Sequence, residues 1–219
     1  MADRHISILI ADDHTLVRNT LAEWLKSHPG FNVISEVDNA DDAVVEASKL
    51  KPDIAVLDID MPGIFAFRAA SMIKKSSPGT KILILSAFYH DHYIEEALSV
   101  GAMGYVTKGD TSETVAEAIK KIGAGEAYFS PTIQSRIVID ERGARLVPSA
   151  RTKLSQITAR ELEVLRHLAR GMSKKEIAQE LSISLGTINN HVANLMKKLG
   201  IHDRVELTRF AIREGLIQL

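Results

Sequence analysis

Three aspartates, a serine and a lysine carry the clearest chemistry in this chain. Asp12 and Asp13 directly follow the apolar run Ile6 to Ala11, and Asp58 directly follows the run Asp53 to Leu57. Both runs are short, rich in Ile, Val and Leu, and not alternating, as in strands buried on both faces. Ligands of an open parallel sheet collect beyond the carboxyl ends of its strands. Neighbouring first and third strands would therefore gather the three carboxylates at one rim. Such a cluster repels itself and calls for a cation, and hard oxygen donors with room for water favour Mg2+. Ser86 ends the run Lys81 to Ser86, and Lys108 follows the run Met103 to Thr107. A carboxylate, a cation, a hydroxyl and an ammonium together can hold a phosphoryl group. The carboxylate attacks phosphorus while the metal and the lysine neutralise the equatorial oxygens. Taken singly, each Asp reads as a turn residue or helix cap and Lys108 as a surface lysine. Found together at the same end of successive strands, they read as a site.

These residues need a scaffold, and the first half of the chain supplies one. A further strand-like run covers Asn32 to Val37, and helical patterns lie between the runs at about 14–27, 40–50, 64–76, 90–100 and 111–122. Asn39 and Thr111 suit helix N-caps, and Gly30, Gly79, Gly101 and Gly123 stand where helices should stop. Five repeats of strand then helix predict an α/β fold with a five-stranded parallel sheet covered on both faces. Residues 1–125 are assigned to this domain. Residues 126–152, with scattered Gly, Pro and charge, read as a linker, in which Ser130-Pro131 could start a short helix reaching about Ile139. Residues 153–219 read as a small all-α domain with four helices, near 158–170, 173–181, 185–199 and 203–215. Thr158 with Glu161, and Ser173 with Glu176, have capping-box spacing.

Charge separates the two ends. Residues 1–126 hold 12 Lys and Arg against 19 Asp and Glu, a net −7, and residues 151–219 hold 12 against 7, a net +5. The basic part is a candidate for polyanions. There is no cysteine, which excludes a disulfide framework, a thiolate metal site and a cysteine nucleophile, and suits a cytoplasmic protein. No apolar run approaches the roughly 20 residues of a membrane span, and the N-terminus lacks a signal-peptide layout. His14, His191 and His202 lack a ligand spacing and are not assigned to metal. Trp24, beside Leu21 and Leu25, reads as core.

In the basic part, Ile188, Val192, Leu195 and Leu199 form an apolar stripe on the 185–199 helix. The opposite face carries Asn190, Ala193, Asn194 and Lys197, with Asn189 at its edge. A short helix and the turn Ser182-Ile183-Ser184 precede it, the spacing of a helix-turn-helix whose second helix enters the major groove. Asn can pair bidentately with adenine, and Lys197 can hold phosphate or guanine. A small bundle with a solvated polar face fits the pattern equally well.

The residues go further than the pattern. Asp12-Asp13, Leu57-Asp58-Ile59-Asp60-Met61-Pro62-Gly63, Ser86-Ala87 and Gly104-Tyr105-Val106-Thr107-Lys108 resemble the receiver domain of bacterial response regulators, a flavodoxin-like fold. Thr158 to Leu165, Gly171 to Ala178, Leu181 to Ser184, Thr187 to Val192 and Lys198 to Gly200 resemble the LuxR-type helix-turn-helix. Together they resemble the NarL/FixJ class of two-component response regulators, transcription factors rather than enzymes. The resemblance implies that Asp58 is the phosphoacceptor, served by a histidine kinase or a small phosphodonor. It implies Mg2+ on Asp12, Asp13, Asp58 and the backbone carbonyl of Asp60, phosphoryl contacts from Ser86 and Lys108, and Tyr105 as an aromatic that moves inward when Ser86 shifts. It further implies double-stranded DNA as partner, with base contacts from Asn189, Asn190 and Ala193 and backbone contacts from Lys175, Thr187, Lys197 and Arg204. Homodimerisation would use the last helix, Arg204 to Glu214.

The chain departs from the family at two places. Ile64-Phe65-Ala66-Phe67 stands where receivers usually place an acidic or amide residue and then Gly. Ala66 cannot adopt positive φ as cheaply as Gly, and Phe65 and Phe67 either pack under the third helix or form a partner surface. Asn189 stands where many relatives carry Lys or Arg, which predicts shallower salt dependence and an adenine preference. Two rival readings remain: a constitutive DNA-binding protein whose receiver only dimerises, and a magnesium-dependent phosphohydrolase using Asp58-Ile59-Asp60.

Overall fold

The computed structural model describes residues 5–140, 143–146, 154–214 and 216–217. The chain divides into two compact units, one of residues 1–89 and 93–147 and the other of residues 90–92 and 148–219. In the first, strands β1 (Ile6–Ala11), β2 (Phe31–Val37), β3 (Ile54–Leu57), β4 (Lys81–Ser86) and β5 (Gly104–Thr107) alternate with helices α1 (Thr15–Lys26), α2 (Ala40–Leu50), α3 (Ala66–Ser76), α4 (Asp91–Ser99) and α5 (Ser112–Gly123). The strands lie in the order β2-β1-β3-β4-β5 and every pairing is parallel. Sequence neighbours β1 and β2 are joined on one side and the chain then crosses back, so β1 and β3 lie side by side. That crossover places the ends carrying Asp12 and Asp58 next to each other.

The inner strands β1, β3, β4 and β5 are largely buried on both faces, as their uninterrupted apolar runs require, while the edge strand β2 is only partly covered. One face sets Ile8, Ile10, Ile54, Val56, Leu83, Leu85 and Val106 against Leu21 and Leu25 of α1 and Val115, Ile119 and Ile122 of α5. Alternate positions Leu9, Ala55, Leu57, Ile82 and Ile84 are equally buried. Full burial of one such side chain contributes about 1.5–3 kcal/mol. Trp24 packs at the edge of the first face rather than within it, stacked on His28 with ring centroids 3.8 Å apart. Asn39 and Thr111 cap α2 and α5 as expected, each accepting from a backbone N–H of the first turn.

The segment read as a linker is largely structured. Strand β6 (Tyr128–Phe129) adds a sixth, parallel strand beside β5. Helix α6 (Pro131–Gln134) is one turn long and ends well short of Ile139. Residues Ile137–Asp140 form β7 instead, paired antiparallel with β8 (Gly143–Leu146). Ile137, Val138 and Ile139 are β-branched and favour extended backbone, and this preference wins over continuation from Pro131.

The second unit contains a 3-10 turn at Leu154–Gln156 and the helices α7 (Ala159–Ala169), α8 (Lys174–Glu180), α9 (Leu185–Leu199) and α10 (Arg204–Arg213). Both predicted capping boxes are formed. The stripe Ile188, Val192, Leu195 and Leu199 is buried, and Gly200, at φ 67°, closes α9 in the left-handed region that a residue with a Cβ adopts at a cost. Glu161 does two jobs in α7. Its Oε2 accepts from Thr158 N at 2.8 Å, completing the cap, and from Lys198 Nζ at 2.6 Å, which ties the last turn of α9 to the start of α7. Replacing Glu161 with Ala should cost about 1–3 kcal/mol, the sum expected for a lost cap and a lost charged hydrogen bond. Hydrogen exchange should show it as faster exchange in α7 and the end of α9, with the receiver amides unchanged.

Candidate functional site

The residues singled out in the first half meet at the carboxyl rim of the sheet. Asp12 and Asp58 lie just beyond β1 and β3, whose ends stay paired as Asp58 N donates to Ala11 O at 2.9 Å. Both carboxylates are buried, 1% and 2% exposed. Lys108 reaches them from the far side of the rim. Its Nζ lies 2.8 Å from Asp58 Oδ2, 2.9 Å from Asp12 Oδ2 and 3.0 Å from Asp12 Oδ1. The loop beyond β5 holds Lys108 in place: Lys108 N donates to Ser86 O at 2.9 Å, and Asp110 Oδ2 accepts from both Thr107 N and Thr107 Oγ1 at 2.8 Å.

Electrostatics follow from this burial. Loss of hydration pushes the Asp58 carboxyl up from 3.8 to about 6; Lys108 opposes that rise, and Asp12 and Asp13 add to it. Burial works against the Lys108 ammonium, but Asp58 and Asp12 outweigh it and hold Lys108 above its ordinary value. One lysine thus faces two buried carboxylates, with Asp13 beside them, and the cluster keeps a surplus of negative charge. Asp58 Oδ1 is buried and accepts no hydrogen bond.

His14 belongs to the cluster as well. Its Nδ1 lies 2.8 Å from Asp13 Oδ1 and 3.4 Å from Asp12 Oδ1. Ligand atoms of Asp12, Asp13, His14 and Asp58 all fall within 4.8 Å of one another. Motif spacing could not reveal this, because His14 is brought in by a turn: its own N–H donates to Asp12 Oδ1 at 2.9 Å. Arg18, also unassigned from sequence, donates to the Asp12 carbonyl. The oxygen-rich donor set, with an orphaned Asp58 oxygen, fits a hard divalent cation such as Mg2+.

Ser86 and Tyr105 sit one step back. Ser86 is fully buried at the end of β4, and its Oγ accepts from Phe88 N at 3.1 Å rather than touching the carboxylates. Tyr105 is also fully buried, with its hydroxyl donating to Phe88 O at 2.6 Å. Burial raises its pKa well above the usual tyrosine value. The aromatic expected to swing inward therefore already lies inside. Phe88 joins the two residues through its N–H and its carbonyl.

The departure after Asp58 resolves as packing. Gly63 takes the positive φ, 92°, and Asp41 Oδ2 accepts from Ile64 N at 3.1 Å. A Cβ at Gly63 would come within 2.2 Å of Asp41 Oδ2, so the turn needs glycine here and not at Ala66, which opens α3. Phe65 and Phe67 are 9% and 2% exposed. They meet edge to face at 5.2 Å, and Phe67 continues through Tyr93 to Phe88.

In the second unit the polar face of α9 is laid open. Thr187, Asn189, Asn190, Ala193 and Lys197 are exposed opposite the buried stripe, and Lys175 is exposed on α8. Ser184 caps α9, accepting from Thr187 N at 3.0 Å, with its Oγ 2.8 Å from Thr187 Oγ1. Arg204 is placed differently from the other basic residues. Its Nη2 donates to the carbonyls of Leu168 and Met172 at 3.2 and 2.8 Å, bracing the corner between α7 and α8.

A doubly wound parallel sheet with an acidic pocket and a conjugate lysine, joined to a helix-turn-helix, defines the response-regulator class. Comparison with known proteins agrees. Residues 8–120 match the response regulator receiver domain, and residues 155–211 match the bacterial regulatory proteins of the luxR family. The transcriptional regulatory protein YxjL of Bacillus subtilis is 32% identical over 213 residues, spanning 97% of this chain and 98% of its own. The response regulator protein VraR of Staphylococcus aureus is 31% identical over 214 residues, spanning 97% and 99%. The RcsB response regulator of Salmonella typhimurium shares the fold, with a TM-score of 0.75 at 23% identity over 96% of this chain and 98% of that one. The chain belongs to the two-component response regulators with a LuxR-type DNA-binding domain, a family of transcription factors. Receiver domains generally use Mg2+ at this acidic pocket. No helix among the described residues is long and apolar enough to cross a membrane.

The raised carboxyl makes a prediction with a definite sign. Asp58 holds its proton more tightly in the folded chain than in the unfolded one. Its contribution to stability therefore falls as pH rises from 3.8 to about 6. Above that window, replacing Asp58 with Asn should stabilise the Mg2+-free receiver by about 1–3 kcal/mol. The gain should shrink at pH 4 and on adding Mg2+. Denaturant titrations at three pH values check it, and equal stabilities at pH 8 would contradict the assigned burial cost.

Proposed function

We propose that Asp58 accepts a phosphoryl group from a histidine kinase or a small phosphodonor, and that this modification controls sequence-specific binding of α9 to double-stranded DNA. The buried Asp58 carboxylate, paired with Lys108 at 2.8 Å and keeping one oxygen free, carries this reading. That free oxygen attacks phosphorus as the bond from phosphorus to the donor atom breaks, leaving an acyl phosphate on Asp58 and releasing the donor. Lys108, already poised between Asp12 and Asp58, follows the charge onto the phosphoryl oxygens. Asp12, Asp13, Asp58 and the carbonyl of Asp60 would hold Mg2+, which when bound supplies charge neutralisation at those oxygens. Ser86 releases Phe88 N to turn its hydroxyl toward the phosphoryl group. Because Tyr105 hangs on the Phe88 carbonyl, that exchange is felt at Tyr105 and in the aromatic cluster running to Phe65.

On the output side, α9 enters the major groove. Asn189, Asn190 and Ala193 face base edges, while Lys175, Thr187 and Lys197 contact the backbone. Arg204 supports the α7–α8 corner and reaches the backbone with what remains of its guanidinium. Val205 and Ile212 of α10 are 62% and 36% exposed, and they give that helix the apolar surface for a homodimer. A two-fold dimer would read half-sites about 34–36 Å apart.

Incubation with acetyl phosphate and Mg2+ should add one phosphoryl group by intact-mass spectrometry, labile to base and absent from Asp58→Asn. No gain from acetyl phosphate or from any histidine kinase would leave a constitutive DNA-binding protein in its place. In mobility shifts, the phosphorylated chain should bind its operator more tightly than the unmodified one. With few basic contacts per subunit, the log–log salt slope should stay well short of about −10.

A further inference from the structure

The missing basic residue at position 189 is replaced from another helix. Lys174 is the first residue of α8, exposed, and its Nζ donates to Asn189 Oδ1 at 3.0 Å. Asn189 lies in the second turn of α9, in the N-terminal half that meets base edges when a recognition helix docks. The hydrogen bond fixes which end of the amide is offered to DNA. An unrestrained Asn presents an acceptor and a donor side by side, and these match adenine N7 and N6. Here Lys174 occupies the acceptor. The amide Nδ2 has no hydrogen-bond partner among the described residues, so it presents its N–H groups next to an ammonium that has further protons to give.

We propose that Lys174 and Asn189 act as one composite donor pair that selects guanine, making Lys174 a specificity-determining residue. Guanine offers two acceptors, N7 and O6, on its major-groove edge, the pattern that Arg or Lys ordinarily reads. Adenine would set its N6 amino group against the ammonium, donor against donor, and cytosine would do the same with N4. Thymine offers one acceptor and a methyl group. The arrangement restores to the recognition face the positive charge that α9 lacks at this position. It therefore replaces the adenine preference expected of Asn189 in isolation, while Asn190 stays free to read adenine.

This inference rests on DNA binding by α9, and the test separates the two. The full-length phosphorylated chain is used to select from a randomised DNA pool, in parallel with Lys174→Met and Lys174→Arg. Lys174 is an exposed first-turn residue, so both variants should keep the wild-type circular dichroism spectrum. Wild type and Lys174→Arg should enrich guanine at one position of each half-site. Lys174→Met should lose that enrichment by at least about fivefold at that position only, and drift toward adenine. Enrichment of adenine by the wild type, or an unchanged guanine signal in Lys174→Met, would overturn the composite reader. So would a uniform loss of affinity across all sequences, which marks a backbone contact. If the wild type enriches no sequence at all, the DNA-binding reading falls and the composite reader with it.

Discussion

The receiver is organised around a charge that its own burial disfavours. Asp58 sits at the end of a central strand with 2% of its surface exposed, and loss of hydration dominates its titration. Lys108 makes the position tolerable, and the sheet order makes Lys108 available. The chain must run from β1 past β2 to β3, and on to β5, before the lysine and the two carboxylates share a rim. A single ammonium cannot neutralise Asp12, Asp13 and Asp58 together. The residual negative charge and the orphaned oxygen are what a divalent cation or an incoming phosphoryl group can exploit. Burial, usually a liability for a carboxylate, here raises the Asp58 carboxyl and leaves its Oδ1 without a hydrogen-bond partner.

Much of this was legible in the sequence because it lies in strongly periodic or strongly punctuated segments. The runs of β1, β3, β4 and β5 announced strands because both of their faces are covered. Asp12, Asp13, Asp58, Ser86 and Lys108 could be assigned to one rim because each directly follows or ends such a run. The two capping boxes marked the starts of α7 and α8, and the apolar stripe placed α9 to the residue. What escaped notice was short or depended on side-chain direction. A two-residue strand such as Tyr128–Phe129 is below any periodic window. Nothing in the spacing says that His14 turns back on Asp13, that Arg204 braces Leu168 and Met172, or that Lys174 reaches Asn189 from a different helix. The inward Tyr105 could not be read either, because strand tyrosines are buried or half-exposed according to their neighbours.

The unusual Phe65-Ala66-Phe67 segment illustrates how a departure from a family pattern can be absorbed. Gly63 supplies the backbone freedom three residues earlier than Ala66, and Asp41 secures the turn. The aromatic rings then extend a packed series through Tyr93 to Phe88. The loop that follows Asp58 is thus joined, ring by ring, to Phe88, whose N–H and carbonyl hold Ser86 and Tyr105. Rings in contact resist small independent movements because interiors are close-packed.

The short strand β6 carries the first unit beyond α5. Tyr128 N donates to Met103 O at 2.9 Å and Ser130 N to Tyr105 O at 3.0 Å, while Ile133 is fully buried. The chain leaving α5 is therefore pinned to the very strand that bears Tyr105 before it departs. Its pairing with β5 also covers part of an edge that would otherwise present unpaired N–H and C=O groups to another chain.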